Sequence, residues 1–146
     1  MFKLGRTGPI TAMASAAALV ITLAITPPTA MAQASPAATA EQVSTERGVT
    51  VKVTPKSIDL PGRLWEFSIS LKTHSGELSD DLVQSAALTT DDGRTLKPAR
   101  WAGTAPGGHQ REGVLSFEVP APRPSAVELR IARPGESAPR TFRWQL

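Results

Sequence analysis

The chain has 146 residues, with 16 Lys and Arg against 13 Asp and Glu, and neither Cys nor Tyr. Its formal charge of +3 shrinks once located: Lys3 and Arg6 are the only charged residues among the first 32, leaving 14 basic against 13 acidic side chains beyond them. A near-neutral remainder lacks the basic surplus of a nucleic-acid binder, and methionine only at positions 1, 13 and 31 excludes soft thioether or thiolate metal chemistry there.

The N-terminus reads as an export signal. Lys3 and Arg6 give a positive start, and Ala12 to Ile25 is almost wholly apolar. That run is shorter than the roughly 20 residues of a membrane-spanning helix. Pro27 and Pro28 end it, because proline lacks the amide donor and clashes with the preceding turn. Ala30-Met31-Ala32 is a small-x-small cleavage site, so residues 1–32 are expected to be a signal peptide, cut between Ala32 and Gln33. The product would be secreted or periplasmic, without a transmembrane span. Residues 33–46, rich in Ala, Ser, Thr and Gln, offer little to bury and are expected to form a flexible tail.

Residues 47–146 are expected to form one domain. Apolar residues alternate with polar ones at Val49-Val51-Val53, at Trp65-Phe67-Ile69-Leu71, and at Ala86 and Leu88 before the turn Asp91-Asp92-Gly93. Arg94 to Trp101 reads as one returning strand; Leu115-Phe117-Val119, Val127-Leu129-Ile131 and Phe142-Trp144-Leu146 follow. About seven short strands bounded by Gly, Pro, Asp and Ser, with no useful helical period, predict an all-β fold: a single immunoglobulin-like antiparallel β-sandwich. Symmetric pairing of the last hairpin about Glu136 and Ser137 would set Ile131 against Phe142 and Arg130 against Arg143, like charges directly opposed.

Counting chain reversals groups the loops. Thr73 to Ser85, Ala102 to Glu112 and Arg133 to Pro139 should share one end of the sandwich; Pro55 to Gly62, Asp91 to Gly93 and Pro120 to Ser125 should share the other. The chain's two histidines, His74 and His109, fall in the first set, and binding sites concentrate on loops carried by rigid scaffolds. The candidate binding residues are therefore His74, Trp101, His109, Arg111 and Glu112.

Thr73-His74-Ser75, Leu78, Asp81-Leu82, Asp92-Gly93, Trp101, Gly107-Gly108-His109 and Arg111-Glu112-Gly113-Val114-Leu115 with Phe117 resemble the pattern of an uncharacterised family of exported bacterial immunoglobulin-like β-sandwich proteins. The resemblance spans most of residues 47–146. It implies export and fold but no activity. The family tends to carry two adjacent histidines where this chain has His109-Gln110, a departure that weakens any metal site the resemblance suggests.

Two functions follow as expectations. The first is a non-catalytic exported binding or accessory module, without cofactor, contacting another exported protein or an envelope component. The alternative is a periplasmic metal-binding protein in which His74 and His109, completed by Asp80, Asp81 or Glu112, hold Zn or Cu(II). Catalysis is not expected, since the sequence contains no Gly-x-Ser-x-Gly elbow, phosphate loop or His-Glu-x-x-His. Pro120-Ala121-Pro122-Arg123-Pro124 could serve as a polyproline ligand, but reads better as a stiff connection between strands.

Overall fold

The computed structural model describes residues 37–58 and 61–146. The expected signal peptide and the cleavage point between Ala32 and Gln33 lie outside the described residues. In chain order the elements are β1 (Gln42–Glu46), β2 (Val49–Pro55), β3 (Leu64–Thr73), α1 (Leu82–Ser85), β4 (Ala86–Thr90), β5 (Thr95–Leu96), β6 (Arg100–Gly103), β7 (Gln110–Glu118), β8 (Ala126–Ile131) and β9 (Arg140–Gln145). They form two antiparallel sheets, one ordered β1-β2-β3-β7-β6 and the other β5-β4-β8-β9. This is an all-β sandwich. No helix among the described residues is long and apolar enough to cross a membrane.

The alternation read from the sequence produces the core. Val51, Val53, Trp65, Phe67, Leu71, Leu88, Leu115, Phe117, Leu129, Ile131 and Trp144 are wholly buried between the sheets. Phe67 joins the layers, meeting Phe117 edge-on at 5.8 Å within its own sheet and Trp144 of the facing sheet at 5.4 Å. Such aromatic contacts are worth about 0.5–1.5 kcal/mol each beyond the area they bury.

Three expectations need correction. First, residues 42–46 are not a free tail: β1 pairs with β2 along its whole length, from Gln42 opposite Val53 to Glu46 opposite Val49. The connection is Arg47-Gly48, both at positive φ (49° and 75°), as a two-residue hairpin loop following the strand twist requires.

Second, Arg94 to Trp101 is not one strand. The chain passes Pro98 and changes sheet, β5 pairing with β4 and β6 with β7.

Third, the last hairpin is offset by two residues. Leu129 faces Phe142, Ile131 faces Arg140, and Glu128 faces Arg143. Because side chains alternate with period two, the slip keeps every residue on its expected face. It also replaces the like-charge opposition with an acid-base one.

Candidate functional site

The three loops expected to share an end do meet. Residues 74–81, 104–109 and 132–139 leave the same end of the sandwich, and backbone bonds join the first two: Thr73 N–H to His109 O (2.9 Å), Leu78 N–H to Gly108 O (2.9 Å) and Gly107 N–H to Leu78 O (2.8 Å). Gly107 and Gly108 sit at φ 118° and 72°, angles that side chains rarely tolerate, and these let the chain turn back onto Leu78.

Beneath this crest runs a buried polar chain. Arg140, 2 % exposed, uses every donor of its guanidinium. Two bonds go to the Glu136 carboxylate (3.0 and 2.6 Å), and three go to the backbone carbonyls of Ser44 (3.0 Å), Val49 (2.8 Å) and Glu46 (2.8 Å) in the β1–β2 hairpin. Glu136 also accepts from Arg133 at 3.1 Å, and Arg133 makes a two-pronged pair with Asp80 at 2.8 and 3.0 Å. Hydrogen bonds from Arg140 hold the Glu136 carboxyl below its ordinary pKa, with burial partly opposing. Burial also works against the charge on Arg133, and the Asp80 and Glu136 carboxylates outweigh it and raise its pKa.

The chain continues through the Asp80 backbone. Arg111, 1 % exposed, donates to Asp80 O and, at 3.1 Å, to Thr104 O. Its guanidinium lies 5.6 Å from the Trp101 ring centre, a cation-π contact, and its Nε has no partner among the described residues. Trp101 is itself fixed: its indole N–H donates to Thr104 O at 3.0 Å. The ring covers the paired glycines of β6 and β7, where a Cβ on Gly103 would lie 2.9 Å from the indole and one on Gly113 2.7 Å. Only glycine leaves space for both the ring and the close backbone approach at this pair.

The expected binding residues thus divide. His74 and His109 are exposed on the crest. Arg111 is buried and Trp101 half-buried, both holding the frame rather than facing a ligand. Glu112 lies on the outer face of the first sheet, accepting from Gln110 (2.8 Å) and Ser70 (3.4 Å).

The proposed metal ligands do not converge. Asp80 is taken up by Arg133, Asp81 caps α1 by accepting from the Val83 and Gln84 amides, and Glu112 faces away across the sheet. The residue brought opposite His109 is Thr73, not His74. Among the described residues, no three His, Asp or Glu side chains are grouped to hold an ion.

Sequence reasoning missed Arg133, Glu136 and Arg140, yet a signal was present. Arg111 continues the buried register of Gly113, Leu115 and Phe117, and Arg140 that of Phe142 and Trp144, so period two alone assigns both arginines to the inner face.

The opposite end is held by exposed contacts. Asp91 accepts from the Ser125 hydroxyl, Asp92 pairs with Arg94 (2.7 Å), Arg94 donates to Ala121 O (3.0 Å) and Pro122 O (2.7 Å), and Arg123 donates to Ile58 O (2.5 Å). With those carbonyls engaged and Pro120 and Pro124 buried, the proline segment is a connector. No protein-family profile, curated protein or solved structure matches the chain.

Proposed function

We propose that the chain is an exported, non-catalytic binding module. It is secreted or periplasmic after cleavage between Ala32 and Gln33, and it contacts another exported protein or an envelope component through the crest of residues 74–77 and 104–109. The positive, apolar and small-residue zones of residues 1–32 support export, as does the resemblance to a family of exported sandwich proteins. An immunoglobulin-like fold is supported by strand order: β2-β3-β7-β6 facing β5-β4-β8-β9 follows the ABED and C′CFG arrangement of that topology, with β1 added at one margin.

The buried chain Arg140–Glu136–Arg133–Asp80, extended to Arg111, carries the reading. Burying guanidiniums and carboxylates is seldom the most stabilising way to fill space, because desolvation offsets most of the Coulombic gain. What such a network does provide is one fixed geometry. Here it fixes the loops that present His74, Glu77, Pro106 and His109 to solvent. The carboxylates beneath the crest are committed to guanidiniums, so neither is free to serve as a catalytic base.

The test is capture of envelope and medium proteins from an exporting bacterium on the immobilised chain. His74→Ala/His109→Ala should lose a specific captured species that Lys56→Ala/Arg63→Ala, at the other end, retains. Equal capture by both double variants would place the contact elsewhere.

A further inference from the structure

The sandwich has four sheet margins, β1, β6, β5 and β9. At β9, the Gln42 side-chain amide imitates a neighbouring strand: its Nε2 donates to Arg143 O (2.5 Å) and its Oε1 accepts from Arg143 N–H (3.2 Å). At β1, alternation from the Arg47-Gly48 turn points the N–H and C=O of Val43 and Thr45 outward, and Arg140 braces the strand through the Ser44 and Glu46 carbonyls. The β5 margin is two residues long and runs directly toward Pro98.

The fourth margin is β6. Its inward bonds go to β7, continued at either end by Thr104 N–H to Glu112 O (3.0 Å) and Ala99 N–H to Ser116 O (2.7 Å). Antiparallel alternation therefore turns the N–H and C=O of Trp101 and Gly103 outward, where no strand among the described residues meets them.

We propose that β6 is a self-association edge, pairing antiparallel with β6 of a second copy so that the first sheets of the two molecules become continuous. The sequence Arg100-Trp101-Ala102-Gly103-Thr104 suits this pairing about a two-fold axis at Ala102. Trp101 then exchanges backbone bonds with Gly103 of the second copy, and Gly103 with its Trp101, so every outward group finds a partner. Glycine leaves room beside an indole that is already packed, Arg100 meets a threonine, and no like charges oppose. At the β9 margin the Arg143 backbone groups that such a pairing would use are already held by the Gln42 side chain. The inference is independent of the crest reading, because it concerns a margin and not the loop tips.

Ala102 is exposed and would face its own copy in the close, non-hydrogen-bonded pair, so it is the position to change. Sedimentation velocity is run from micromolar to millimolar on chain purified from an exporting host. Wild type should show a reversible dimer. Ala102→Lys and Ala102→Glu should each weaken it at least about tenfold through like charges directly opposed. Mixing the two variants should restore dimer as a mixed species, and circular dichroism should show both folded like wild type. A wild-type chain that stays monomeric throughout overturns the proposal, whatever else the edge accepts. So does a dimer that Ala102→Lys leaves intact, or a mixture that stays monomeric.

Discussion

Both ends of the sandwich are tied by arginines reaching for backbone carbonyls, but in different surroundings. At the crest end, Arg111 and Arg140 are almost fully buried, and Arg133 and Glu136 keep 8 % and 5 % of their side-chain surface. At the opposite end the Arg94 and Asp92 side chains keep 33 % and 45 %. The same chemistry therefore does different work. Water and salt screen the exposed pair, whose worth is modest. The buried chain is screened much less, and removing one member leaves others charged without their partner. One end is a fixed frame; the other is a set of loops clipped in place.

The largest effect that would break this contrast comes from Arg140. Replacing it with Ala removes both bonds to Glu136 and strips three carbonyls of the β1–β2 hairpin. A loss of roughly 3–5 kcal/mol is expected in urea unfolding. Arg94→Ala, which also loses a carboxylate and two carbonyls, should lose far less. Comparable losses for the two variants would mean that burial does not separate the ends.

Much of this arrangement is legible in the sequence, and its failures share a cause. Alternation placed the core, and counting reversals placed the loops at the correct ends, since both depend only on local period and chain direction. The register of the last hairpin was not legible from the turn. Symmetry about Glu136 and Ser137 brings like charges together, whereas the observed pairing puts Arg140 inside, opposite Ile131, where it reaches the β1–β2 hairpin. That contact spans 91 positions, beyond any local pattern. β1 escaped for the same reason. Its residues offer little to bury on their own, and Gln42, Arg140 and Trp144 hold that segment through β9. The glycine-rich run to Glu112 reads as a loop that includes Arg111 and Glu112, although alternation through Gly113 and Leu115 assigns the two to opposite faces of β7.

A middle-sized effect sharpens the crest side alone. A methyl group added at Gly113 would lie 2.6 Å from Ala102 O and 2.7 Å from both Gly103 Cα and the Trp101 ring. Two of these neighbours are backbone, so β6 must shift, and Trp101 with it. Gly113→Ala is expected to cost about 1–3 kcal/mol. It should also speed amide exchange at Thr104, whose N–H bonds to Glu112 O across the same pair. Unchanged exchange would show that the glycine pair does not set how β6 lies on β7.

The smallest effect distinguishes the ends through pH and salt. Both Glu136 and Asp92 titrate below their ordinary values, Glu136 chiefly through hydrogen bonds from Arg140, and Asp92 at about 2 through hydrogen bonds from Arg94 and then Thr90. A carboxyl whose folded pKa is depressed contributes stability that is present above its unfolded value and is lost as pH falls through the folded one. The gap in melting temperature between wild type and Glu136→Gln should thus be full at pH 7 and begin to close as pH drops below the ordinary 4.5. The smaller gap for Asp92→Asn should persist until pH falls below the ordinary 3.8, closing toward about 2. At 1 M salt, where the screening length is about 3 Å, the exposed Asp92 contribution should shrink markedly while that of Glu136 stays. If salt reduced both gaps in proportion, the crest end would be as open to ions as the opposite end, and its network could not act as a rigid support for the loops above it.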